Sequence, residues 1–60
     1  MFLYRFERMN GSGGIEKIGQ SQYLTYEDFG IDPNDYILIF LKDLRTGEVI
    51  FDAFRSNTDF

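Results

Sequence analysis

The side chains best equipped for chemistry in this chain are carboxylates, and they are bunched. Between Lys17 and Lys42 there is no basic residue, while Glu27, Asp28, Asp32 and Asp35 all fall in that interval. The formal charge of the whole chain is −4, so this interval alone accounts for it. Acid concentrated on one part of a small protein sets a field that a basic surface feels. The cluster also brackets aromatic residues, in Leu24-Thr25-Tyr26-Glu27-Asp28-Phe29. That combination suits binding: rim charges steer and orient, and apolar anchors supply most of the affinity. Glu27, Asp28, Asp32 and Asp35 are therefore the candidate steering residues, and Phe29 and Tyr26 the candidate anchors. The competing reading is local. The carboxylates would serve solubility and helix capping, and Phe29 would pack against Leu24 in the core.

Other chemistry finds no support in the sequence. The chain has no Cys and no His, which removes thiolate sites and the commonest general base and metal ligand. Asn10-Gly11-Ser12-Gly13-Gly14 lacks the Lys-Ser/Thr ending of a phosphate-binding loop and precedes no helix pattern. Asp32-Pro33-Asn34-Asp35 lacks the spacing, the Gly and the terminal Glu of a calcium loop. No nucleophile stands beside a base. The expectation is a protein that is not an enzyme and has no cofactor and no metal site. Its acidic sign also argues against direct nucleic-acid binding, since like charge repels phosphate.

These residues need elements to hold them. Phe2-Leu3-Tyr4-Arg5-Phe6-Glu7 alternates, with Phe2, Tyr4 and Phe6 on one face and Arg5 and Glu7 on the other, as in a half-buried strand. Asn10-Gly11 signals a hairpin, after which 15–23 returns as a weaker strand, with Gly19 marking a bulge or bend. Thr25 reads as a helix N-cap with Asp28 completing a capping box, and Leu24 and Phe29 stand where a hydrophobic staple would sit. The spacing predicts a short helix from Tyr26 that ends at Gly30. Asp32-Pro33 then caps a further turn. Tyr36-Ile37-Leu38-Ile39-Phe40-Leu41 is apolar on both faces and reads as a central strand. Asp43 to Glu48 is a tight hairpin leading to a last strand over 49–54, and 56–60 reads as a frayed end. The expected fold class is α+β, a small antiparallel sheet in the order β-β-α-β-β with one short helix. The expected organisation is a single domain over 1–60.

The middle of the chain, 3–41, resembles the small uracil-DNA glycosylase inhibitors of protein-primed Bacillus phages. The resemblance rests on a strand, a turn ending at Gly14, a second strand, Leu24-Thr25-Tyr26-Glu27-Asp28-Phe29 opening a helix, and an Ile/Leu-rich strand after it. It departs from that family in its Gly/Ser-rich turn and in the added hairpin over 43–54. The resemblance implies a homodimeric DNA mimic that inhibits uracil-DNA glycosylase stoichiometrically. Phe29 would help form an apolar pocket that captures the side chain the enzyme pushes into the minor groove. Glu27 and Asp28, with Asp32 or Asp35, would take the place of phosphates. It also implies a cytoplasmic location in a bacterial host during infection. Two rivals share the features: another phage counter-defence mimic aimed at a restriction or CRISPR nuclease, and a protein-interaction module that uses its aromatics and an edge strand.

Size bears on the partner as well. Sixty residues bury little surface and are marginal alone. Seven Phe and four Tyr supply much apolar area, and the second face of a two-sided apolar strand needs cover. Both point to a homodimer. No run approaches the roughly 20 apolar residues of a membrane span, and the N-terminal residues follow a strand pattern with no signal-peptide pattern. The expectation is no membrane association.

Overall fold

Alternation in the first strand decides the architecture. A computed structural model describes residues 1–55. The strands are β1 (Phe2–Arg8), β2 (Gly14–Gly19), β3 (Tyr36–Asp43) and β4 (Val49–Asp52), forming one sheet in the order β2-β1-β3-β4. Every neighbouring pair is antiparallel. The apolar run thus lies inside the sheet, as its two apolar faces require, flanked by β1 and β4. The expected frayed end, 56–60, lies outside the described residues.

One face of the sheet is closed by the segment between β2 and β3. Tyr4, Phe6, Leu41 and Ile31 are buried, and Phe2, Leu24, Tyr26, Phe29, Tyr36 and Leu38 pack around them. Tyr4 and Phe6 are 1% and 2% exposed, so β1 supplies the centre of the core. The buried Tyr4 hydroxyl does not go unpaired. It donates to the Ser21 carbonyl and accepts from the Leu24 N–H, which ties the outgoing end of β2 down onto the sheet.

Two irregularities shape the sheet. Arg5 faces Phe40 but Phe6 faces Leu38, so Ile39 is an extra residue in β3. Leu41 faces Phe51 but Lys42 faces Val49, so Ile50 is an extra residue in β4. Such bulges bend a strand and disturb its ladder. Near the first bulge the Leu38 N–H is taken up by the Tyr26 hydroxyl, at 2.8 Å.

The α+β expectation needs correcting. No α-helix forms among the described residues; the only helical element is a single 3-10 turn, Glu27–Phe29. The fold is mostly β. The cause lies just after the turn. Gly30 takes a left-handed conformation (φ 67°) and its N–H closes on the Glu27 carbonyl, which ends the helix after three residues. Ile31 then drops into the core, and Pro33, whose ring disfavours the α conformation at the residue before it, blocks continuation. Gly19 also plays a different part from the bulge or bend expected of it. It stands opposite Phe2 at the end of a regular ladder. A Cβ there would come within 2.4 Å of Leu24 Cδ1, 3.1 Å of Tyr4 and 3.2 Å of Phe29. Gly19 is small because the covering segment crosses it closely.

Candidate functional site

The acidic segment is built from two consecutive turns. In the first, the Asp28 N–H donates to Thr25 Oγ1 at 3.2 Å and the Thr25 N–H donates to Asp28 Oδ2 at 2.8 Å. This is the reciprocal capping box expected from the sequence, here closing a 3-10 turn. In the second, Asp32 Oδ1 accepts from the Asn34 N–H at 2.9 Å, and the Asp32 carbonyl accepts from Asp35 and Tyr36. Asp28 and Asp32 therefore have local structural duties, as Asp and Asn side chains commonly do in turns.

Charge remains available in spite of those duties. Glu27, Asp28, Asp32 and Asp35 are all exposed. Among the described residues the one ion pair is Arg5–Glu16, at 2.7 Å on the open side of the sheet. None of the four acids has a cationic partner there. Their negative field is met only by solvent and salt.

The two candidate anchors sit differently. Phe29 is half-buried, with its ring 4.8 Å from that of Tyr4 and 5.8 Å from that of Phe6. Its main contacts are to the aromatic core. Tyr26 is also half-buried, with its ring 5.4 Å from Phe6 and its hydroxyl fixed by Leu38. Tyr26 has a second role, because it lines a groove of about 710 Å³ together with Thr25, Glu27 and 30–33. Phe29, Asp28 and Asp35 do not line it. The structure thus brings Tyr26, Glu27 and Asp32 to one groove and leaves the other three candidates outside its lining.

Sequence reasoning passes over the most exposed aromatics. Tyr23 is 81% exposed and Phe54 72%. Tyr23 lies just before the acidic turns, with its hydroxyl accepting from the Gln22 amide at 2.7 Å. The strand expected over 15–23 ends at Gly19, and the polar stretch 20–22 is the one signal in the sequence that Tyr23 lies beyond the ladder. Such a position leaves a large side chain with no sheet face to join. No group of three or more His, Cys, Asp or Glu side chains converges as a metal site among the described residues. No helix among them is long and apolar enough to cross a membrane. Comparisons with protein-family models, curated proteins and solved structures find no match to this chain.

Proposed function

We propose that this protein is a non-catalytic binding protein that presents its acidic turns to the basic groove of a nucleic-acid enzyme, in place of nucleic acid. The observation that carries this reading is the set of four exposed carboxylates on 27–35, with no cationic partner among the described residues. The counter-charge that attracts DNA attracts such a surface equally, and apolar contact around it supplies further affinity. Partner recognition falls to Glu27, Asp28, Asp32 and Asp35 for charge and to Tyr26 and Phe29 for contact.

The resemblance noted in the sequence nominates uracil-DNA glycosylase as the target, with a homodimer as the acting form inside an infected bacterium. Besides its Gly/Ser-rich turn, two features separate this chain from that family: a fourth strand, and a 3-10 turn where the family has a helix. Both lie outside the acidic turns or shorten them, and neither removes their charge. The test is uracil excision by a purified bacterial glycosylase, titrated with this protein. Loss of activity at a fixed molar ratio, relieved by raised salt, supports the reading. Full activity at a several-fold excess removes the glycosylase as target.

A further inference from the structure

The groove beside the 3-10 turn carries more information than its charge. Its floor is apolar and fixed: Ile31 is 7% exposed, and Tyr26 is pinned through its hydroxyl to Leu38 and through its ring to Phe6. Pro33 adds a rigid wall, and the exposed acidic residues Glu27 and Asp32 also line the groove. A bare metal ion gains nothing from a mainly apolar trough with two acids. A purely aliphatic side chain would fill the trough but leave both carboxylates without a partner. A cation on a long apolar stem matches both parts.

We infer that this groove receives an arginine side chain of the partner protein, its guanidinium paired with Glu27 and Asp32 and its stem along Tyr26, Ile31 and Pro33. Arginine fits better than lysine because its planar, weakly hydrated guanidinium stacks on an aromatic face and takes carboxylates in a fork. The inference rests on the binding reading above, because phosphate-contacting arginines are what a nucleic-acid groove offers to a surface that takes the place of DNA. The groove exists without its occupant, so little ordering is required on binding.

The test uses the full chain, labelled with ¹⁵N, and three small probes at low ionic strength: N-acetyl-arginine amide, N-acetyl-citrulline amide and N-acetyl-norleucine amide. Citrulline keeps the shape of arginine and lacks the charge; norleucine keeps only the stem. The expected result is saturable shifts confined to 25–33 with the arginine probe and much weaker ones with the other two. Glu27→Gln and Asp32→Asn should each weaken arginine binding about two- to fivefold, the range for a partly exposed ion pair. Asp32→Asn retains an oxygen to accept the Asn34 N–H, and unchanged Tyr4 and Phe6 signals would verify the fold of both variants. Equal shifts from citrulline or norleucine would overturn the inference. So would shifts spread alike over distant acids such as Glu48 and Asp52. Glycosylase inhibition without an arginine-specific shift overturns the groove assignment alone, whereas an arginine-specific shift without inhibition upholds the groove and removes that enzyme as its partner.

Discussion

At the residue scale, two hydroxyls hold the covering segment to the sheet. Removing the Tyr4 hydroxyl leaves the Ser21 carbonyl and the Leu24 N–H without their side-chain partner. Removing that of Tyr26 does the same to the Leu38 N–H. Each loss of a buried partner costs about 1–3 kcal/mol. Tyr4→Phe is expected at the upper end, because Tyr4 is the more buried and loses two bonds; urea unfolding of both variants checks the order. Phe29 calls for a different choice of substitution. Phe→Ala in a core costs about 3–5 kcal/mol, and a protein of this size has only about 3–9 kcal/mol in all. Phe29→Ala would lower binding through unfolding whatever the role of the ring. Phe29→Leu keeps most of the volume and is expected to stay folded. If Phe29 is a contact residue, the folded leucine variant should inhibit at least tenfold less tightly in the glycosylase titration; equal inhibition would confine Phe29 to the core. Asp43 offers a pH test. Its carboxyl is held below the ordinary Asp value, first by the Arg45 N–H and further by the Thr46 N–H and the Arg45 and N-terminal charges, against some desolvation. A lowered folded value means that its contribution to the hairpin is fully present above the unfolded pKa of about 3.9 and is lost as pH falls through the folded value. An NMR titration of Asp43 should therefore show a midpoint below that of an unfolded peptide, and Asp43→Asn should flatten the acid end of the stability curve.

Elements are legible in the sequence to differing degrees, for physical reasons. The β1 pattern is plain because Phe2, Tyr4 and Phe6 recur at every second position, with Arg5 and Glu7 on the other face, and the face the aromatics define is the core face. The interior position of β3 comes from its apolar run. The hairpins come from Asn10-Gly11 and from Gly47, which takes φ 81°. The helix is overstated because a capping box reports only how a helical turn starts. Thr25 and Asp28 form that box as expected. Length is set further along the chain, where Gly30, Ile31 and Pro33 stop the helix after one turn. The register shifts at Ile39 and Ile50 leave no mark in the sequence, since one extra apolar residue in an apolar strand changes no pattern. At the site, the charge cluster can be read directly. The groove cannot, because it depends on Ile31 turning inward while Glu27 and Asp32 stay out. At Gly19 the covering segment crosses the sheet closely enough for one methyl group to matter. Gly19→Ala places a methyl against Leu24, Tyr4 and Phe29. Overpacking of that kind costs about 1–3 kcal/mol, so the melting temperature should fall while the β3–β4 hairpin signals in the NMR spectrum stay in place.

At the scale of the whole molecule the question is what covers the second face of the sheet. The ladders put Leu3, Ile18, Ile37, Phe40 and Val49 on that side, interleaved with Arg5, Glu7, Glu16 and Lys42. Part of the cover is internal. The Arg5 guanidinium lies 5.0 Å from the Phe40 ring centre and pairs with Glu16, so a charged stem shields the middle of the face. The flanks stay open, with Ile18 52% and Ile37 45% exposed. A second copy of the chain, packed face to face about a two-fold axis, would bury both flanks and set the interleaved charges against each other. A homodimer at micromolar concentration is accordingly expected, held by those flanks. Ile18→Lys and Ile37→Lys separate this from a role in folding. Both positions are exposed in the single chain, so each change should cost it no more than about 0.5 kcal/mol. In a dimer either one places a lysine in an apolar contact and, through the two-fold axis, does so twice. Sedimentation should then show the wild type at twice the 7.1 kDa chain mass and both variants at the single-chain mass with unchanged spectra. A wild type that sediments as one chain across the micromolar range would leave the open face to Arg5 alone and rule out the dimer.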